Sequence, residues 1–136
     1  MLSVSYEPGF RIGNFDPDDV GTFAAEALVM LDRFRVQVIE LTGERLTFGE
    51  IAECLSKLSG VDVRLRVRVR FRTEEEMKEL RASGKLPVLE RQLWAREVSF
   101  GYNPTALGKY GIKLGTLAEY LEQEKGRLLE TLGVRG

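Results

Sequence analysis

Val36-Gln37-Val38-Ile39-Glu40-Leu41, then Thr42-Gly43, then Thr47-Phe48-Gly49-Glu50-Ile51-Ala52 is the stretch from which the fold of this chain is read. Its first six residues are mostly β-branched or aliphatic and end at the turn signal Thr42-Gly43, which predicts a largely buried strand. Thr47 suits the cap of a helix whose apolar positions Phe48, Ile51, Leu55 and Leu58 recur at three- and four-residue spacing, and Gly60 is a natural stop. From Val61 to Arg72 the pattern alternates strictly, with Val61, Val63, Leu65, Val67, Val69 and Phe71 on one side and Asp62, Arg64, Arg66, Arg68, Arg70 and Arg72 on the other. That period of two predicts a second, longer strand. Strand, helix and strand in this order predict a right-handed βαβ unit.

Working outward, Asp16-Pro17-Asp18-Asp19 opens a helix. Asp16 can cap it, Pro17 suits its first position, and the acidic pair favours its positive end. Val20, Phe23, Ala24, Ala27, Leu28 and Leu31 are its expected buried face. Thr73 and Glu76 form a capping box for a helix that stops at Ser83-Gly84. Leu89, Leu93 and Trp94 share the face of a further helix between Pro87 and Glu97. Val98 to Tyr102 reads as extended, and Asn103-Pro104 starts a short helix. Thr116 and Glu119 box the start of a terminal helix with Leu117, Tyr120, Leu121, Leu128 and Leu132 inward, weakened at Gly126. The whole is a single α+β domain spanning residues 1–136: a small sheet containing a βαβ unit, covered by several helices.

At 136 residues the chain can bury roughly two-thirds of its unfolded surface in one core. It carries 20 basic and 21 acidic side chains, so no overall charge draws it to nucleic acid or an anionic membrane. It has no histidine, which excludes Ser-His-Asp and Cys-His catalysis and histidine metal sites; no metal and no cofactor are expected. The lone Cys54 reads as a buried structural thiol. No apolar run reaches membrane-span length and the N-terminus has no signal-peptide pattern, so a cytoplasmic location is expected.

Three stretches carry a family resemblance: Asp16-Pro17-Asp18-Asp19-Val20-Gly21; Ile39-Glu40-Leu41-Thr42-Gly43-Glu44-Arg45-Leu46-Thr47-Phe48-Gly49-Glu50-Ile51-Ala52; and Tyr110-Gly111-Ile112-Lys113-Leu114. In this order they resemble the C-terminal, substrate-binding portion of the NmrA-like family, atypical members of the short-chain dehydrogenase superfamily. The Rossmann half that normally precedes it is missing, and Gly108, Gly111 and Gly115 have the wrong spacing for a dinucleotide fingerprint. The superfamily's Tyr-x-x-x-Lys pair has no match at Tyr6, Tyr102, Tyr110 or Tyr120. The chain alone is therefore not expected to be an NAD(P)-dependent oxidoreductase. In family members of ordinary length this half packs on the Rossmann half, so the resemblance implies an apolar flank and a homodimer as its simplest cover.

Two candidate surfaces stand out. Arg64 to Arg72 would line one strand face; this reads first as a solvated face paired with acidic helices such as Glu74 to Glu79, then as an anion or interface site, and nucleic acid binding is not expected. The aromatic residues Tyr6, Phe10, Phe15, Trp94, Phe100 and Tyr102 could line an apolar cavity near the family's cleft. Glu7, Arg91 and Tyr102 flank them as candidate acid, base and oxyanion groups. The leading expectation is a stand-alone domain binding a hydrophobic, aromatic or polyketide-like metabolite, with cofactor-independent isomerisation, cyclisation or dehydration as its chemistry. The alternative is a non-catalytic regulatory or interaction module docking on itself or on a Rossmann-bearing partner.

Overall fold

The computed structural model describes residues 1–98 and 104–134. The architecture is α+β, with short two-stranded sheets and a surrounding set of helices. β1 (Leu2–Val4) runs parallel to β4 (Val69–Phe71), pairing Leu2 with Val69 and Val4 with Phe71. β2 (Ile12–Asn14) runs antiparallel to β3 (Glu44–Leu46), with Gly13 opposite Arg45. α3 (Phe48–Ser59) lies in the chain between the parallel strands. A small βαβ-type arrangement is thus present, as the sequence predicts, but its first strand is the N-terminus and not residues 36–41.

The helix starts follow the capping chemistry closely. Asp16 accepts the Asp18 N–H at 3.0 Å and opens α1 (Pro17–Val29), which the single turn α2 (Leu31–Phe34) follows. Reciprocal capping boxes at Thr47/Glu50, Thr73/Glu76 and Thr116/Glu119 open α3, α5 (Glu74–Ser83) and α7 (Leu117–Gln123). Each satisfies two of the N–H groups that a helix start leaves without partners. Gly60 and Gly84 end α3 and α5 at φ of 72° and 62°, the left-handed conformation that a glycine adopts without a Cβ clash. α6 spans Val88–Glu97, a 3-10 helix spans Pro104–Tyr110, and α8 (Lys125–Thr131) follows α7 after a break at Glu124 rather than at Gly126.

Three expectations need correction. Residues 36–41 form no strand: Val36 has φ 55°, Val36 and Val38 are 99% and 95% exposed, and Ile39 and Leu41 turn inward. None of residues 36–41 joins a backbone-to-backbone hydrogen bond among the described residues. The strand expected over Val61–Arg72 is shortened to Val69–Phe71, because Asp62 accepts the Arg64 N–H and Ser56 Oγ accepts the Val63 N–H. These local caps start a helical turn, α4 (Val63–Arg66), which overrides the alternation. Arginines 64 to 72 therefore do not share one strand face. Finally, the buried face of α1 is narrower than the periodicity suggests, with Asp19 and Phe23 buried while Val20, Leu28 and Leu31 stay exposed.

Two packing centres position the rest. Phe23, Phe34, Leu107 and Tyr110 form one, with Ala27, Ile39, Leu41, Ile112 and Leu114 against it. Tyr110 stacks on Phe34 at 5.0 Å and meets Phe23 edge-on at 5.7 Å. On the other side Val4, Met77, Leu89 and Ala95 are buried where β1, α5 and α6 lie, and α3 packs on α4, α7 and α8. No helix of the described residues is long and apolar enough to cross a membrane.

Candidate functional site

An N-terminal loop, the antiparallel β2–β3 pair and α6 border a cleft of about 420 Å³. The loop is fixed at its root: Ser5 is fully buried, its N–H donates to Gln92 Oε1 at 2.8 Å, and its Oγ accepts from Arg72 Nη1 at 3.1 Å. Beyond that anchor Tyr6 stacks on Phe10 with ring centres 4.5 Å apart and planes 12° apart. Both rings line the cleft, as does Phe15. From α6, Arg91, Trp94 and Ala95 line it together, because positions three and four apart share a helix face. The opposite face of α6 presents the buried Leu89, so Trp94 turns outward at 51% exposure and does not join Leu89 as the sequence suggests.

The strand alternation of β3 decides where Arg45 goes. Glu44 accepts the Leu117 N–H at 2.6 Å and so faces α7, and successive side chains on a strand point to opposite sides. Arg45 therefore projects toward the cleft, which it lines together with Gly13, its partner across the ladder. Buried Thr42 and half-buried Leu41 complete the floor. A third arginine of the lining, Arg11, is already engaged: its guanidinium meets both oxygens of Glu50 at 2.9 and 3.0 Å and donates to the Arg45 carbonyl at 2.7 Å. The Glu50 carboxyl is held below the usual carboxylate range, first by the Thr47 backbone N–H and then by Arg11. Arg45 and Arg91 have no carboxylate partner among the described residues.

Of the residues singled out from sequence, Tyr6, Phe10, Phe15, Arg91 and Trp94 come together here. Phe100 and Tyr102 lie outside the described residues. Glu7 does not line this cleft; it faces Arg96 Nη2 at 3.4 Å, at a separate depression of about 330 Å³ where Arg96 also holds Glu74 at 2.9 Å. The described lining of the aromatic cleft contains no carboxylate and no lysine.

No protein-family model matches this chain, and no curated protein matches it. The chemistry of the cleft therefore has to be argued from its own side chains.

Sequence reasoning missed Arg11 and Arg45. The signal that finds Arg45 is the pairing of β2 with β3, and three-residue strands such as Ile12-Gly13-Asn14 are too short to show a period. The arginine run divides among several tasks: Arg70 pairs with Glu76 at 2.7 Å, Arg66 donates to the Leu132 carbonyl, and Arg64 and Arg68 border a neighbouring cleft walled by Phe10, Phe48 and Phe71. Cys54 is half-buried, and its thiol is pushed up chiefly by burial and then by the Glu44 charge, which keeps it protonated and weakly nucleophilic.

Proposed function

We propose that the chain binds an aromatic small molecule in the cleft between the N-terminal loop, β3 and α6. One observation carries this reading: Tyr6, Phe10 and Phe15 near the N-terminus and Trp94 on α6 wall a single cleft of about 420 Å³. Small-molecule sites are typically mostly apolar concavities of roughly 300–1,000 Å³ with a few polar groups that fix orientation. Tyr6 supplies a phenol and Trp94 an indole N–H, each on a ring large enough to meet an aromatic ligand and able to donate a hydrogen bond. Glu7 is held elsewhere by Arg96, so the geometry favours binding over acid/base turnover. A stand-alone NmrA-like substrate domain would suit this reading.

Trp94 is the sole tryptophan, so its indole N–H gives one proton–nitrogen NMR signal that reports on the cleft. Titration with 2-naphthylmethanol is expected to shift that signal saturably, and Phe10→Ala is expected to weaken the binding. A Trp94 signal unmoved by any planar aromatic probe overturns the reading.

A second reading is favoured by the unpaired segment over residues 36–41, which combines outward Val36 and Val38 with backbone groups that join no ladder. Leu28, Val29 and Leu31 extend the same exposed apolar character at the end of α1. An exposed segment with strand-like alternation is a template for strand addition, and a second copy of this chain offers the identical segment for two-fold pairing. Sedimentation equilibrium is expected to show a dimer that Val38→Lys dissociates. A wild-type chain that stays monomeric at its highest soluble concentration refutes this.

A further inference from the structure

We infer that the aromatic ligand bears a carboxylate, and that Arg45 and Arg91 are the residues that select it. The inference rests on the proposed reading of the cleft as a ligand site and names the chemical class that site takes. The argument begins with the charges of the lining. Three arginines border the cleft and no acidic residue of the described lining opposes them. Arg11 is neutralised by its two-oxygen contact with Glu50. Arg45 and Arg91 are left facing an aromatic cleft with no counter-charge among the described residues.

This positive charge is local, since the chain as a whole carries a formal charge of −1. Elsewhere Arg70, Arg81 and Arg127 are paired with Glu76, Glu90 and Glu124, whereas Arg33, Arg35, Arg66, Arg68 and Arg72 have no carboxylate partner among the described residues. What sets Arg45 and Arg91 apart is their place, on the lining of a cleft walled by Tyr6, Phe10, Phe15 and Trp94.

A neutral ring entering the cleft would strip water from two guanidinium groups and return no hydrogen bond to either. A ring bearing a carboxylate replaces that water with charge-assisted bonds, and the guanidinium fork matches a carboxylate's two oxygens. The cleft therefore discriminates through both an attractive element for acids and an uncompensated desolvation against neutral analogues. Arg45 comes from β3 and Arg91 from α6, so the two charges are held by different elements that border the same opening.

The test compares 2-naphthoate with 2-naphthylmethanol on the full chain, reading the Trp94 indole signal. Naphthoate is expected to bind roughly tenfold tighter or better, the worth of one to two charge-assisted hydrogen bonds. Arg45→Gln and Arg91→Gln should each reduce that ratio and the double variant should bring it close to one, by weakening naphthoate binding and by relieving the desolvation that naphthylmethanol meets. The ratio should also shrink as salt screens the exposed charges. Equal affinities in the wild type overturn the inference while leaving the aromatic cleft intact. A preference that survives in the double variant overturns the assignment to these arginines. If neither probe moves Trp94, the cleft reading and the inference fall together.

Discussion

Asp19→Ala removes a contact that joins segments far apart in the chain. The carboxylate is 8% exposed, and its Oδ2 accepts the backbone N–H of Gly115 at 2.9 Å across a sequence separation of 96. It also lies in the first turn of α1, where negative charge is favoured. Losing a hydrogen bond to a charged group, and leaving a part-buried amide without a partner, costs about 1.5–3 kcal/mol. The dipole interaction adds about 0.3–1 kcal/mol, so the alanine variant should lose about 2–4 kcal/mol in all. Asp19→Asn keeps an acceptor oxygen and should lose only about 1 kcal/mol. For a domain of this size the alanine variant should melt about 10 °C lower and the asparagine variant about 4 °C lower. Equilibrium urea unfolding with an unchanged m-value gives the free energies directly, and hydrogen exchange at Gly115 should quicken in the alanine variant. An alanine variant as stable as the wild type, or an asparagine variant as damaged as the alanine one, refutes the reasoning.

Phe34→Ala should cost about 3–5 kcal/mol, since Phe34 is 8% exposed and stacked on Tyr110 at the centre of one packing cluster; a urea midpoint close to that of the wild type would contradict the cluster's role. Val36→Gly should raise stability by about 1 kcal/mol, because relief of a left-handed valine at φ 55° outweighs the added chain entropy of glycine and the 99% exposed side chain gives up almost no packing; a lower melting temperature would show that the strain argument fails. The carboxyls of Glu50, Glu76 and Glu119 are all lowered by folding: that of Glu50 first by the Thr47 backbone N–H, that of Glu76 first by Arg70, and that of Glu119 first by Lys113. The folded state then binds fewer protons than the unfolded chain, so their stabilisation is present above the ordinary carboxylate pKa and is lost as pH falls through the depressed folded values. Thermal melts from about pH 6 to about pH 3 should decline over that window, and replacing the three residues with glutamine should flatten the decline.

The parts of the fold legible in sequence are those set by chemistry between near neighbours. Thr73 with Glu76 and Thr116 with Glu119 each form the capping box that their spacing implies, Thr47 caps α3, and Gly60 and Gly84 stop helices where expected. The strands were harder, because a period of two does not say whether a partner exists. Residues 36–41 do alternate, with Val36 and Val38 outward and Ile39 and Leu41 inward, yet no strand of the described residues pairs with them. Over residues 61–72 the alternation competes with the Asp62 cap, and the local hydrogen bond wins at its N-terminal end. The aromatic residues of the candidate site are legible in sequence by their type and not by their position. The site's charge is not, because Arg45 reaches the cleft only through a pairing between two three-residue strands.

The residues that tie the scaffold together and those that line the cleft are largely different sets. Asp16 caps α1, Asp19 holds Gly115, and Glu44 holds the first amide of α7. Gly43 donates to the Asn14 carbonyl at 2.8 Å, and a Cβ there would come within 3.0 Å of the Gly115 carbonyl and 3.2 Å of that of Asn14, so no larger residue fits without backbone movement. These residues bring three distant segments to one point and are consumed by that task. Tyr6, Phe10, Phe15, Arg91 and Trp94 instead line the cleft. Arg45 is the charged residue that belongs to both sets: β3 fixes its backbone beside the scaffold knot while its side chain faces the cleft. A change at Arg45 should therefore alter which ligands bind while leaving stability nearly untouched, whereas a change at Gly43, two residues earlier, should destabilise the fold and affect binding only through it.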